Sequence, residues 1–297
     1  MTEALGEVAA ITHRLAVLLA AGVAPVSAWR HVAVGARSAV PAAAAASGPA
    51  GIPGAIVAAA TGGDASARQA WRGLAAAWAV ATDAGAPLAP SLTSYASSLR
   101  ALADAQRDVR VALAGPKSTA RIVMVLPAIG VLFGLALGFN TLGVLVTTPP
   151  GWMCVAAGAA LMLLARYWTR RLLASAQPAD TTPGLDHDLA AIAVSGGGAL
   201  DRAVAAVHEA GATYGITVGD LDATLDLSRR AGVPAGDLLR GEAEERRRAA
   251  RADAQERAAA LSVRLMLPLG LCVLPAFMVL GVLPLLIAVV SSTVGTF

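Results

Sequence analysis

Two glycine-containing motifs have residue types that can hold phosphate groups or nucleotides. Residues 115–119, with the sequence GPKST, have the glycine, lysine and hydroxyl groups found at the end of a phosphate-binding loop. Proline separates the glycine from the lysine and no predicted strand precedes the motif, so we do not predict a nucleotide site. The run Ser195 to Gly198 lacks the spacing and the strand of a dinucleotide fingerprint. It predicts a turn that interrupts a helix.

A third motif, Asp186-His187-Asp188, contains three side chains that can ligate a metal ion. The remaining histidines form no ligand pattern with it: His13, His31 and His208. A solvated helix start is therefore the favoured interpretation of this motif. The sequence predicts no catalytic residue, no cofactor site and no metal site, and we expect a protein that is not an enzyme.

Two long uncharged stretches decide the class of the chain. Ile122 to Ala165 covers 44 residues, and Leu265 to Phe297 covers 33 residues. The first stretch is interrupted at Pro149-Pro150, which leaves two parts close to the roughly 20 residues that cross a bilayer core. We therefore predict an integral membrane protein with about three transmembrane helices. They form a hairpin at 122–168 and a third helix at 265–290, followed by a short external tail at 291–297.

The distribution of charge predicts the orientation of these helices. All 23 Lys and Arg and all 20 Asp and Glu lie in residues 1–121 and 166–264. Arginines cluster at the membrane-proximal ends of both segments, so the positive-inside rule predicts a cytoplasmic N terminus and an external C terminus. Membrane-facing arginines explain the basic balance better than nucleic acid does. The uncharged stretches contain no ionisable group of the kind that an ion pathway needs.

The two charged segments have the apolar periodicity of helices and no sustained period-two alternation, which predicts an all-α fold. We expect two cytoplasmic helical-hairpin bundles, at 1–121 and 169–264. Residues 38–63 are uncharged and rich in Ala, Gly and Pro. We predict a mostly flexible connection there, with a short helix at Ile52–Ala60. A membrane-associated segment stays open as the alternative.

An internal repeat gives the two halves the same order of features. AGAP at 84–87, ADAQR at 103–107 and LP at 126–127 correspond to AGVP at 231–234, ADAQER at 252–257 and LP at 267–268. Glycine allows turn conformations, and proline favours the start of the next helix. The predicted helix-hairpin turns contain Gly22, Pro25, Gly85, Pro87, Gly197, Gly232 and Pro234.

Two further groups of residues are candidates for intermolecular or interhelical contacts. A small-residue row with a spacing of four lets another helix approach closely: Gly130, Gly134 and Gly138. The row fits either packing among the three spans or contact with another subunit. A membrane-proximal basic cluster is the other candidate, for a membrane-surface or partner contact: Arg246, Arg247 and Arg248.

The order of turns, amphipathic helices and spans resembles the type II secretion system F-domain family, and the three-span layout is most similar to its tight-adherence (Flp) pilus branch. The resemblance implies a platform protein of the bacterial inner membrane. Such a protein couples a cytoplasmic secretion ATPase to pilin extraction and assembly, without catalysis of its own. Its implied partners are that ATPase, pilin subunits, and a paired platform protein or a second copy. The alternative function is a small permease or transport subunit that works with a separate ATPase.

The charge distribution gives a first testable prediction, about topology. In a chain with its native cysteines replaced by alanine, cysteines at Arg68 and Arg230 should react with an impermeant maleimide only in inverted vesicles. Cysteines at Pro150 and Thr296 should react only in intact cells. Labelling of positions 68 and 230 from opposite sides would contradict the three-span arrangement, and a cytoplasmic position 296 would show that the last stretch does not cross.

Overall fold

Helices account for all regular secondary structure in the described part of the chain, and no β-strand occurs there. The structure is a computed structural model that describes residues 2–62, 64–136, 143, 148–175, 182–284 and 286–287. The chain divides into two units. One comprises Met1–Arg107 and Pro178–Asp253 and is called the core unit; the other comprises Asp108–Gln177 and Ala254–Phe297 and is called the apolar unit.

The main helices have the following bounds in chain order. They are α1 (Thr2–Ala20), α2 (Pro25–Ala33), α3 (Val40–Ala46), α4 (Ile52–Ala59), α5 (Ala65–Asp83), α6 (Leu88–Ala136), α7 (Pro149–Ser175), α8 (Leu185–Ser195), α9 (Leu200–Tyr214), α10 (Asp222–Ala231) and α11 (Ala235–Arg264). A 3₁₀ turn at Pro49–Gly51 precedes α4. After α11 the chain stays helical, with π-helical turns at Leu269–Val273 and Met278–Val282 that follow Pro268 and Pro275.

Helix α5 lies at the centre of the core unit and is buried on nearly all of its faces. Its large side chains Trp71, Leu74 and Trp78 are buried, and so are the three alanines between Leu74 and Trp78. It packs against α1 and α4 from the first charged segment and against α8 and α9 from the second. A helix that is buried on most of its faces needs neighbours on several sides. The two segments predicted as bundles, 1–121 and 169–264, both contribute to one hydrophobic core.

Residues 38–63 form helices where the sequence predicted a mostly flexible connection. The segment contains α3 and α4, and α4 ends one residue before the predicted Ile52–Ala60 helix. Its side chains in the core are Val40, Ala44, Ile52 and Ile56. Each of these helical elements has a proline at its first or second position, where the fixed φ of proline favours a helix start. The prolines of this segment thus lie at helix starts.

The glycines predicted to lie in helix-hairpin turns are found between consecutive helices. Their φ angles are positive: 83° at Gly22, 67° at Gly85, 80° at Gly197 and 65° at Gly232. Side chains disfavour this conformation, which suits glycine at a helix end. Pro25 is the first residue of α2, whereas Pro87 and Pro234 directly precede α6 and α11.

Two helices among the described residues are long and apolar enough to cross a membrane: Pro149–Leu172 and Ala235–Val282. Helix Pro149–Leu172 covers the later part of the segment 122–168, for which a hairpin was predicted. Helix Ala235–Val282 contains the start of the predicted span at 265–290. Gly130 and Gly134 lie on α6, which ends at Ala136. Residues 137–142, which include Gly138, residues 144–147 and the tail at 291–297 lie outside the described residues.

Helix α7 packs closely against the C-terminal helical run in the apolar unit. A Cβ atom added to Gly158 would lie 2.3 Å from Cγ of Leu280. Farther along α7, Ala165 is buried with Cys272 and Val273. Gly158 lies near Leu280, and Ala165, later on α7, lies near the earlier residues Cys272 and Val273. The two helices are therefore antiparallel. Gly158 provides a close helix approach that sequence analysis did not single out.

This contact generates a prediction about packing. Gly158→Leu should lower the thermal stability of the purified protein by the equivalent of about 1 to 3 kcal/mol, because the new side chain must displace Leu280. The matched control is Gly270→Leu, since a Cβ atom at Gly270 meets no other atom within 4 Å. Melting curves in detergent measure both variants. Equal stability of the two would contradict the close packing at Gly158.

Candidate functional site

The Asp186-His187-Asp188 motif forms a buried charged site at the start of α8. The relative exposures of these residues are 6%, 0% and 3%. The predicted solvated helix start is therefore wrong, since the first turn of α8 is enclosed by other helices of the core unit. Together with Ser98, Arg246 and Arg247 these residues are called the carboxylate cluster.

The start of α8 lies directly on the backbone of α11. Gly184 precedes α8 with a φ of 76°, and a Cβ atom there would lie 2.6 Å from the carbonyl oxygen of Ala243. Only glycine fits both the backbone conformation and this contact. Arg246 and Arg247 follow Ala243 by three and four residues, so they lie on the same face of α11. This spacing brings both guanidinium groups to the acidic first turn of α8.

Asp188 joins three helices through one carboxylate oxygen. Its Oδ2 accepts hydrogen bonds from Nη1 of Arg247 at 2.8 Å and from Oγ of Ser98 at 2.9 Å. Arg247 belongs to α11 and Ser98 to α6, so Asp188 on α8 connects the two charged segments of the sequence. The Arg247 side chain is only 17% exposed in this pair. The other oxygen, Oδ1, is buried without a hydrogen-bond partner among the described residues.

The Asp186 carboxylate forms hydrogen bonds with His187 and with the loop before α10. Its Oδ1 lies 2.9 Å from Nδ1 of His187 and accepts the backbone N–H of His187, while Oδ2 accepts the backbone N–H of Gly219 at 3.0 Å. Nη1 of Arg246 lies 3.6 Å from Oδ2, and Nε of the same residue donates to Glu242. The His187 ring is fully buried, and its Nε2 has no partner within the described part of the chain.

The two carboxyl groups differ in their electrostatics. Burial alone would raise the pKa of Asp186, but the hydrogen bonds and charge of His187 and the backbone N–H groups of Gly219 and His187 lower it to about 2. For Asp188 burial dominates and raises the pKa above its ordinary value, against the opposing effects of Arg247 and Ser98. Burial and the Asp188 charge also raise the pKa of Tyr95, whose hydroxyl donates to the Ala70 carbonyl at 2.7 Å.

This geometry supports a structural role for the cluster. Three of the four carboxylate oxygens already accept hydrogen bonds from the protein. The described residues contain no group of three His, Cys, Asp or Glu side chains arranged to hold a metal ion. Residues 115–119, the other chemical candidate, lie within α6 and not in a loop.

The three arginines predicted as a membrane-surface or partner contact have different environments. Arg246 and Arg247 face the buried carboxylates, whereas Arg248 is 65% exposed and pairs with Glu244 and Glu245. The four-residue spacing of Glu242 and Arg246, and of Glu244 and Arg248, can be recognised in the sequence of α11, but the partners on α8 cannot. The signal that points to those partners is an acidic helix start in a chain that also has two adjacent arginines on another helix.

Comparison with known proteins adds no assignment: no family model, no curated protein and no solved structure matches this chain.

The buried pair of Asp188 and Arg247 generates a prediction about stability. Asp188→Ala leaves the guanidinium largely buried without its counter-charge, so we expect a loss of about 3 kcal/mol. Glu244→Ala is the matched control, because it breaks an exposed pair with Arg248 and should cost less than about 1 kcal/mol. Thermal unfolding of the purified variants compares them. Similar losses would contradict a central role for Asp188.

The lowered pKa of Asp186 gives a prediction about pH. An aspartate whose pKa falls from 3.8 to about 2 on folding stabilises the protein above pH 4, and this contribution disappears as the pH falls toward 2. The difference in the free energy of unfolding between the native chain and Asp186→Asn should thus shrink by about 1 kcal/mol between pH 5 and 2. Melting temperatures across this range measure the gap. A constant gap would show that folding does not lower the pKa of Asp186.

Proposed function

We propose that this chain is a platform protein of a tight-adherence (Flp) type pilus or type II secretion system in the bacterial inner membrane. The observation that carries the proposal is the Asp188 carboxylate, which joins α6 and α11 within the core unit. Both helices begin in the core unit and end in the apolar unit. A partner that moves the core unit would therefore act on both helices together.

The layout of the chain supports this role. The apolar unit contains the described helix Pro149–Leu172 and the apolar end of the run Ala235–Val282, which are long enough to cross a membrane. The core unit carries most of the charged residues and is built from two segments separated in the sequence. The repeated order of turns and spans in the two halves fits a scaffold in which both halves contribute equivalent helices.

In this proposal each part has a defined partner. The core unit lies in the cytoplasm and engages the secretion ATPase, which supplies the energy. The spans engage pilin subunits and either a paired platform protein or a second copy of the chain, with the N terminus inside and the C terminus outside. The protein itself needs no cofactor and no nucleic acid.

The proposal is tested in cells by deletion and complementation. Deletion should abolish surface pili while pilin remains in the membrane, and the tagged full-length chain should co-purify with the pilus ATPase. Complementation with Lys117→Ala should restore pili, because residue 117 does no chemistry in this account. ATP hydrolysis by the purified chain, abolished by Lys117→Ala, would overturn the proposal. Normal piliation of the deletion strain would also overturn it and favour a transport subunit.

A further inference from the structure

The end of α2 presents an exposed edge that the carboxylate cluster and the membrane helices do not use. This α2 edge consists of Arg30, His31, Val34 and Arg37, all exposed to solvent. Val34 is 82% exposed, the highest value among the large hydrophobic residues described. The opposite face of α2 is buried in the core through Ala28, Trp29 and Val32. The edge therefore points away from the protein on a well-packed helix.

Specific hydrogen bonds fix the loop that carries this edge. Oε1 of Glu7 accepts the backbone N–H groups of Arg37 at 2.9 Å and Ser38 at 3.1 Å. The backbone N–H of Val40 donates to the hydroxyl of Ser38 at 3.2 Å, which connects the loop to α3. A surface held in this way loses little conformational entropy when it binds a partner. The loop thus has the preorganisation expected of a binding surface.

Packing of Trp29 on α5 holds the part of α2 that carries Arg30 and His31. The ring of Trp29 lies 5.8 Å from that of Trp78 on the central helix α5, and both side chains are buried. Arg30 and His31 directly follow Trp29 in the sequence. The tryptophan pair fixes the rotation of α2, so the same side chains always face outward.

The two arginines of the edge, Arg30 and Arg37, form no ion pair within the described residues of the chain. The nearby carboxylate of Glu7 accepts the backbone N–H groups of Arg37 and Ser38. Five arginines in the second charged segment differ from these two, since they pair with carboxylates of their own chain: Arg229, Arg240, Arg246, Arg247 and Arg248. The positive charge of the α2 edge is therefore available to an acidic partner.

We propose that the α2 edge docks an acidic protein surface with an apolar socket for Val34. An exposed aliphatic side chain between arginines matches the apolar centre and polar rim of protein interfaces. Insertion into a lipid surface instead relies on large side chains such as Trp, Phe and Leu. The edge has no such side chain, which favours a protein as the occupant. The proposal rests on the proposed function, in which this occupant is the ATPase that drives assembly.

A binding experiment with purified components tests the edge. The full-length chain is reconstituted in phosphatidylcholine nanodiscs, and binding of the purified pilus ATPase is measured by surface plasmon resonance. Arg30→Glu with Arg37→Glu should raise Kd by roughly tenfold or more. The control with the same charge change is Arg202→Glu with Arg230→Glu, on exposed positions of α9 and α10, and it should bind like the native chain.

A second pair of variants tests the apolar part of the edge. Val34→Asp should weaken binding of the ATPase roughly tenfold, because it places a charge in the apolar socket. Val17→Asp is the control, since Val17 is 55% exposed on α1 and lies outside the edge. Both variants alter exposed side chains, and matching melting temperatures confirm that they are folded.

The outcomes separate this proposal from the proposed function. If the native chain binds the ATPase but the edge variants bind equally well, the docking proposal for the α2 edge is overturned while the proposed platform role stands. If the native chain does not bind the ATPase, both proposals fail. An effect of the edge variants that appears only in nanodiscs with phosphatidylglycerol would assign the edge to the membrane surface and overturn the docking proposal.

Discussion

The structure of the core unit depends on the cost of enclosing a carboxylate. Asp188 is 3% exposed, and an ionised carboxylate at such a depth is tolerated only with a counter-charge and hydrogen bonds. Arg247 and Ser98 supply them from helices that lie far apart in the sequence. The raised pKa of Asp188 shows that these partners do not fully offset its desolvation. The site is therefore satisfied only when α6, α8 and α11 are all in place.

Small residues make this arrangement sterically possible. Gly184 lets the start of α8 rest on the backbone of α11, and a Cβ atom at Gly73 of α5 would lie 2.3 Å from the hydroxyl of Tyr95 and 3.0 Å from Leu185. The alanines of α5 allow neighbouring helices to approach on several sides. The core unit is thus packed through close approach of helix backbones, although it has few large side chains. The same close approach brings the polar groups of the carboxylate cluster within hydrogen-bond distance.

Local signals in the sequence predicted helices and chain breaks better than they predicted tertiary contacts. The turns at Gly85 and Gly232 could be predicted because a glycine with a proline two residues later reports local backbone chemistry, and a helix ends before each glycine. The flexible connection predicted for residues 38–63 is wrong because proline, which interrupts a helix interior, favours a helix start at these positions. The burial of Asp188 was missed because its partner Arg247 lies 59 positions away. No periodicity within one helix reports such a pair.

The central claim, that Asp188 connects the two segments of the core unit, is tested most directly by a double-mutant cycle. The free energy of unfolding is measured for the native chain, Ser98→Ala, Arg247→Met and the double variant. Both residues act through Oδ2 of Asp188, so the account predicts effects that are not additive, with a coupling energy on the order of 1 kcal/mol. Effects that add within about 0.3 kcal/mol would show that the two helices are stabilised independently and would contradict the account.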